Sequence, residues 1–359
     1  MEFIDKKAEE FLFDYLSKVA PTGNEVEGQK TWVEYITPYV DEWNRDTYGT
    51  AYGIINPGRD FKVVIEAHAD EISWMVSHIS DDGYIRVVRN GGSDHVITPA
   101  KRAFIQGSKG PVKAVFGWPA IHLRKGKNAK LSPSMDNIYL DVGAADKEAV
   151  LAKGIHVGAI ATFEDGFEAL NENYYIGRAL DNRLGGFAIA QVARALFENK
   201  DKLPFSLYIV NAVQEEVGLR GAQMIAERIQ PDAAIVIDVT HDTTTPMLDV
   251  KKNGEIKCGE GPSVTYAPAV HNILRDLIIK TAENLDIPIQ REASSRSTGT
   301  DTDAFAYSNA GVPAALLSIP LRYMHTTVEM AHKKDIEHLI RLMYESVKAI
   351  ENKHNFHYF

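Results

Sequence analysis

The chain has 359 residues, of which 45% are hydrophobic and 25% charged, a composition that disfavours disordered, collagen-like and disulfide-rich proteins. Its formal net charge of -10 makes nucleic acid an unfavourable partner, because a negative field repels phosphate groups. Cys258 is the only cysteine, so any bound metal must be held by His, Asp and Glu side chains.

The N-terminal segment, MEFIDKKAEEF, lacks the basic-then-apolar order of a signal peptide. No uninterrupted apolar run approaches the roughly 18 residues that a membrane span requires. The sequence therefore predicts a cytoplasmic protein with no membrane partner.

The predicted elements fall into three stretches along the chain. Apolar residues at helical spacing predict helices over 3–19 and 32–40, and a largely buried strand follows at 61–68. Between 72 and about 167, short Val-, Ile- and Tyr-rich segments alternate with turn signals such as Asp82-Gly83 and Gly91-Gly92. From 184 onward, helices (184–198, 220–229, 270–285 and 335–351) alternate with strands (205–213, 233–239, 287–290 and 314–319).

This order predicts an α/β fold with an insertion. Single hydrophobic cores stop growing at about 250 to 300 residues, so more than one structural unit is expected. We expect a helix-covered mixed sheet built from residues 1–71 and 167–359, interrupted by a small all-β domain over 72–166.

A histidine and an acid end the first predicted strand of the sheet. In Ala67-His68-Ala69-Asp70 the imidazole and the carboxylate lie on the same face, because strand side chains alternate. This suits a metal-binding His68 whose second ring nitrogen is oriented by Asp70. A purely structural His–Asp pair is an equally good interpretation of this motif alone.

Acidic residues occupy similar positions in two later segments. Asp181 directly precedes a predicted helix, where it would serve either as an N-cap or as a carboxylate that bridges two cations. Glu215 and Glu216 follow an apolar strand, and a nearby cation would relieve the repulsion between these adjacent acids. One of them would then be a ligand and the other a base, unless both belong to a solvated loop.

Asp238 and His325 complete the candidate set. Asp238 lies at the end of the strand 233–239, and His325 follows the strand 314–319. His241 and Asp242 come later in the loop and are assigned to loop structure. With His68, Asp181 and Glu216, these residues offer two imidazoles and three carboxylates, which suit Zn, Co or Mn. The number of ligands fits a dinuclear hydrolytic site that contains an activated bridging water.

The ordered segments AHAD, GRALDNR, QEEVG, IDVTHD and RYMHT resemble the tetrahedral aminopeptidases, a family of dinuclear metallopeptidases with glutamyl, leucyl and lysyl specificities. Some members of the family carry an endoglucanase label. The resemblance extends over nearly the whole chain. It implies a zinc-peptidase fold of the phosphorylase/hydrolase-like type with a PDZ-like or barrel insertion. It also implies two divalent ions, Zn, Co or Mn, and assembly of the chain into a homo-oligomer, a tetrahedral dodecamer.

The resemblance assigns roles to individual residues of this chain. One metal ion would be held by His68, Asp181 and Asp238. The other would be held by Asp181, Glu216 and His325. Glu215 would be the general base in hydrolysis of the N-terminal residue from peptides, and Asp70 would orient His68. The resemblance also makes the Asp181-Asn182 peptide bond a candidate for the cis form.

The segment Ser297-Thr-Gly-Thr-Asp301-Thr-Asp303-Ala304 is similar to a family segment near the substrate side-chain pocket. Asp301 and Asp303 are therefore candidate substrate-binding residues. Asp303 stands where many members have a small residue. It would either favour basic side chains or cap a helix.

Three alternatives to an aminopeptidase remain open from the sequence. A metal-dependent N-acyl deacylase would use the same ligands. A glucanase using Glu215 and Glu216 is disfavoured, since it leaves the histidines without a role and adjacent strand residues diverge. A non-catalytic assembly protein is disfavoured by the complete ligand set.

Overall fold

The structure is a computed structural model that describes residues 3–125, 130–352 and 354–359. Among these residues, no helix has an apolar stretch long enough to cross a membrane. The α-helices are α1 (Lys6–Ser17), α2 (Val26–Ile36), α3 (Lys147–Ala152), α4 (Leu180–Glu198), α5 (Arg220–Ile229), α6 (Val250–Asn253), α7 (Asn272–Asn284), α8 (Asp301–Ala306) and α9 (Lys333–Ala349).

The strands belong to a main sheet and a separate barrel. They are β1 (Glu42–Arg45), β2 (Ala51–Ile55), β3 (Lys62–His68), β4 (Ser73–Ile79), β5 (Ile85–Asn90), β6 (Arg102–Gly107), β7 (Gly110–Phe116), β8 (Leu140–Asp141), β9 (Ile160–Phe163), β10 (Glu168–Ala169), β11 (Tyr174–Gly177), β12 (Ser206–Ala212), β13 (Ala233–His241), β14 (Ser263–Tyr266), β15 (Gln290–Ala293), β16 (Ala314–Arg322) and β17 (Glu329–His332).

The main sheet is mixed, with a parallel centre. Its strand order is β1-β2-β12-β3-β13-β16-β17-β11-β10, with β14 beside β16 and β15 beside β14. The strands β12, β3, β13 and β16 run parallel to their neighbours in this series. Their carboxyl ends therefore meet at one edge, which is where open α/β sheets bind ligands.

Helices cover both faces of the main sheet. On one face, α1, α2, α4, α7 and α9 bury a core that includes Trp32 and Phe187. On the other face, α5 and α8 bury a smaller core that includes Ile225 and Phe305. Alternation along β3 places Val63 and Ile65 in the first core and directs His68 toward the second face.

Six of the described strands form a closed barrel in the order β4-β5-β8-β7-β6-β9. Trp74 is fully buried inside it and meets Phe116 edge-on, with ring centroids 5.7 Å apart. In the chain, these strands lie between β3 and β10 of the main sheet. The predicted α/β fold with a small all-β insertion is confirmed, and the boundaries at 71/72 and 166/167 stay predictions.

Several elements begin a few residues away from where the sequence indicates, among them α2 and β15. Helix α2 begins at Val26 instead of residue 32. It includes Gly28, although glycine is a poor helix former. A Cβ at that position would lie 3.0 Å from the Cβ of Ala20, so the packing of α2 favours glycine there. The strand expected at 287–290 is Gln290–Ala293, set by its pairing with β14, so the predicted position is wrong by three residues.

Gly221 allows α5 to pack against the end of β12, next to Glu215 and Glu216. A Cβ at Gly221 would lie 2.3 Å from the backbone oxygen of Val213 and 2.6 Å from its nitrogen. Backbone atoms cannot move aside as a flexible side chain would. The close approach of helix and strand therefore requires glycine at this position.

We expect Gly221→Ala to lower the free energy of unfolding by about 1 to 3 kcal/mol, because the added methyl group overpacks a backbone contact. Gly166→Ala is the matched control, since no heavy atom lies within 4 Å of a Cβ built there. Denaturant titration of both variants measures the difference. Equal stability of the two variants would show that the close approach is not needed.

Candidate active site

The residues predicted as metal ligands meet at the carboxyl edge of the parallel strands. His68 ends β3, and Asp238 lies in β13 on the same face of the sheet. Asp181 enters from the start of α4, where its backbone is still non-helical and its peptide bond to Asn182 is cis. His68 Nε2 lies 3.2 Å from Asp181 Oδ1 and 3.9 Å from Asp238 Oδ1, so these residues form one group of donor atoms.

A second group of donor atoms shares Asp181 with the first. His325 Nε2 lies 3.2 Å from Asp181 Oδ2 and 3.4 Å from Glu216 Oε1. Within each group, all ligand atoms lie within 4.8 Å of one another. The two oxygens of Asp181 thus face different histidines, as a bridging carboxylate requires.

Asp70 holds the turn that carries Glu215 and Glu216. This turn begins at Gln214, which has a φ of 58°, and continues as a short 3-10 helix. The Asp70 carboxylate accepts hydrogen bonds from the backbone nitrogens of Glu215 at 3.0 Å and Glu216 at 3.2 Å, and from Thr22 Oγ1 at 2.9 Å. Asp70 Oδ1 also lies 3.3 Å from His68 Nδ1. One buried acid therefore holds the turn of the adjacent glutamates and also lies beside the imidazole.

Glu215 lies beside the donor groups without belonging to either of them. Its Oε2 is 3.9 Å from His68 Nε2, and its side chain lines the cavity next to the site. The turn thus directs two adjacent glutamates to different positions, Glu216 toward His325 and Glu215 toward the cavity.

The sequence analysis missed Glu329, which holds the backbone on two sides of the site. This fully buried carboxylate accepts hydrogen bonds from the backbone nitrogens of Leu180 at 2.7 Å, Asp181 at 3.2 Å and His325 at 2.8 Å. It lies at the start of β17, opposite Gly177 of β11. A single glutamate at this position gives no signal in the sequence, because two of its three partners, the backbone nitrogens of Leu180 and Asp181, lie 149 and 148 residues away.

Burial dominates the electrostatics of the carboxylates. It raises the pKa of Glu215 to about 10 and that of Asp238 to about 7, and it also raises the pKa of Glu216. Burial likewise opposes the charge on Asp181, but hydrogen bonds with His325 and His68 hold its pKa below the ordinary value. These acids lie too close together to be ionised without nearby positive charge.

The barrel contributes to one side of the site. A Cβ at Gly92, which follows β5, would lie 2.6 Å from the His325 ring, and one at Gly91 would lie 3.1 Å from the Cβ of Glu216. Side chains at these positions would displace two candidate ligands. The glycine pair therefore lets the barrel pack directly against the second donor group.

A cavity of about 700 Å³ opens beside both donor groups. Asp303 lines it, but its carboxylate accepts hydrogen bonds from the backbone nitrogens of Thr298 and Gly299. Asp301 is fully buried next to Glu66 and does not line the cavity. Substrate binding by these two aspartates stays a prediction.

The two loop residues after Asp238 differ in their surroundings. His241, expected in a loop, is the last residue of β13, is exposed and lines the cavity. Asp242 is buried and accepts a hydrogen bond from Arg322 Nε at 2.9 Å, outside both donor groups.

Comparisons with known proteins identify the class. A family profile described as M42 glutamyl aminopeptidase matches residues 49–342. The lysyl aminopeptidase of Pyrococcus furiosus is 35% identical over 86% of this chain and 88% of its own length. In structure, the chain is similar to a TET aminopeptidase from a Thaumarchaeota archaeon of marine sediment, with a TM-score of 0.91 at 28% identity over 96% and 97% of the two chains.

A second solved structure, the TET1 peptidase of Pyrococcus horikoshii, gives a TM-score of 0.82 at 26% identity over 94% of this chain and 98% of that one. The class of protein is thus a peptide hydrolase of the aminopeptidase type. The chain belongs to the M42 glutamyl aminopeptidase family.

We expect Glu329→Gln to destabilise the protein by about 2 to 3 kcal/mol, because an amide NH₂ group replaces one carboxylate oxygen and leaves at least one backbone N–H group without its acceptor. The control is Glu255→Gln, an exposed residue whose replacement should change stability by less than about 0.5 kcal/mol. Denaturant titration gives both values. If the two variants are equally stable, Glu329 does not hold the backbone around the site.

Proposed function

We propose that the chain is a dinuclear metal-dependent aminopeptidase that removes the N-terminal residue of peptides with Glu215 as general base. The observation that carries this proposal is the position of Asp181, whose two oxygens each lie 3.2 Å from the Nε2 atom of a different histidine. Family membership supports the reaction class, and the donor groups support its mechanism.

The residues present fit two divalent cations. His68, Asp181 and Asp238 would hold one ion, and Asp181, Glu216 and His325 the other. Nitrogen and oxygen donors without thiolates suit Zn, Co or Mn. The pKa of Glu215, Glu216 and Asp238 is raised in the cluster, and positive charge would reverse this effect.

When bound, such ions would polarise the scissile carbonyl and lower the pKa of water from 15.7 toward about 7. Glu215 would accept the proton of the attacking water and deliver it to the leaving amine. Its position at the cavity wall, outside both donor groups, leaves its carboxylate free to accept and deliver this proton. The acidic end of the cavity would bind the positively charged α-amino group of the peptide.

Asp70 would act through His68 and through the turn that carries Glu215. Its contact with His68 Nδ1 would fix the tautomer that leaves Nε2 free for the metal. Its hydrogen bonds to the backbone of Glu215 and Glu216 would keep base and ligand apart.

We also propose that the chain is a homo-oligomer, a tetrahedral dodecamer, in which the domain over 72–166 mediates association. The similar peptidase of Pyrococcus horikoshii assembles into a tetrahedron or a large octahedral shell. The barrel exposes apolar side chains, among them Val88 in β5 and Val115 in β7, that such contacts would cover. A cytoplasmic location stays a prediction.

We expect the Glu215→Gln variant to bind both metal ions. Its kcat should fall by a factor of about 10² to 10⁴, because the amide cannot accept the proton. Elemental analysis gives metal content, and hydrolysis of a short peptide gives the rate. Asp181→Ala is the comparison variant, since it removes donors from both groups and should bind less metal. Near-normal activity of Glu215→Gln would reject the base assignment.

Hydrolysis of a peptide and of its N-acetylated form distinguishes the proposed reaction from deacylation. We expect release of the first residue from the free peptide and little turnover of the acetylated one, because the acyl group removes the positive charge at the acidic end. Mass spectrometry of the products identifies the bond that is cleaved. Release of acetate from the acetylated peptide would favour an N-acyl deacylase.

A further inference from the structure

One wall of the cavity carries a carboxylate that forms no ion pair within the described part of the chain. Glu292 in β15 lines the cavity and accepts hydrogen bonds from Thr240 Oγ1 at 2.7 Å and Ser263 Oγ at 3.0 Å. Among the residues that the structure describes, no Lys, Arg or His forms an ion pair with it, and the adjacent Arg291 pairs with Glu283 instead. A carboxylate offers about four acceptor sites, so Glu292 can accept further hydrogen bonds from a ligand.

Polar side chains on this wall continue from the donor groups to Glu292. Asp238 and Thr240 lie on the same face of β13, and Ser318 of β16 pairs with Asp238 in register. Further along, Thr265 of β14 pairs with Glu292. A side chain that extends from the donor groups along the sheet would therefore reach Glu292.

The remaining lining of the cavity favours a long cationic side chain. Thr265 lines the cavity, and its buried hydroxyl has no hydrogen-bond partner among the described residues. Leu316 offers an apolar contact for a hydrocarbon stem. In the described ranges, neither Lys nor Arg contributes to the lining. Asp303 is the other acid on this part of the wall, but its oxygens already accept backbone hydrogen bonds within the loop.

We propose that Glu292 selects peptides whose N-terminal residue is basic, Lys or Arg. The inference rests on the proposed aminopeptidase function, which places the first residue of the peptide at the donor groups. The ammonium or guanidinium group would donate to Glu292, and the stem would lie along Leu316. An acidic side chain would be repelled by the same carboxylate.

The test compares peptides with N-terminal lysine, norleucine and glutamate on the metal-loaded enzyme. Norleucine has the four-carbon stem of lysine without its ammonium group. Comparing these two substrates therefore isolates the contribution of the positive charge to kcat/KM. We expect kcat/KM for lysine to exceed that for norleucine by about 10- to 100-fold, as for a hydrogen bond between charged groups. Glutamate should be the poorest of the three substrates.

Glu292→Gln should abolish the preference for lysine and leave norleucine hydrolysis within about threefold of wild type. Glu227→Gln, an exposed residue of α5, is the control and should keep the wild-type ranking. A wild-type enzyme that prefers norleucine or glutamate would overturn the inference, as would an equal loss on lysine and norleucine in Glu292→Gln. An enzyme that cleaves none of the free peptides would instead reject the proposed function.

Discussion

The rest of the structure depends on holding four acids together at one edge of the sheet. Asp181, Glu215 and Asp238 surround His68, and Glu216 joins Asp181 beside His325, in a largely buried space where like charges repel strongly. A loop of ordinary flexibility would let these side chains separate into solvent. Their positions are therefore held by groups that do not themselves belong to the donor set.

Two buried carboxylates provide this support through the backbone. Asp70 accepts N–H groups from the turn of Glu215 and Glu216, and Glu329 accepts them from the chain around Asp181 and from His325. In both cases one acid replaces the regular hydrogen bonding that a helix or sheet would supply. These hydrogen bonds anchor the irregular segments to the ends of the neighbouring strands.

Much of the fold and the donor set could be predicted, because both follow from local patterns. His68 and Asp238 are placed at one edge by apolar strands and their two-residue alternation. Glu329 and Glu292 could not be predicted, since their roles depend on which strands pair and in what register. The pocket assignment shows the same limit, because the sequence indicates an acid near Asp303 but not that its oxygens bind their own loop.

The contact of Gly91 and Gly92 with Glu216 and His325 links two parts of the molecule that the chain order keeps separate. The barrel is more than a separate unit, because its loop packs against the second donor group. Substitutions in the barrel next to this loop are therefore constrained by the geometry of two side chains carried by the main-sheet part of the molecule.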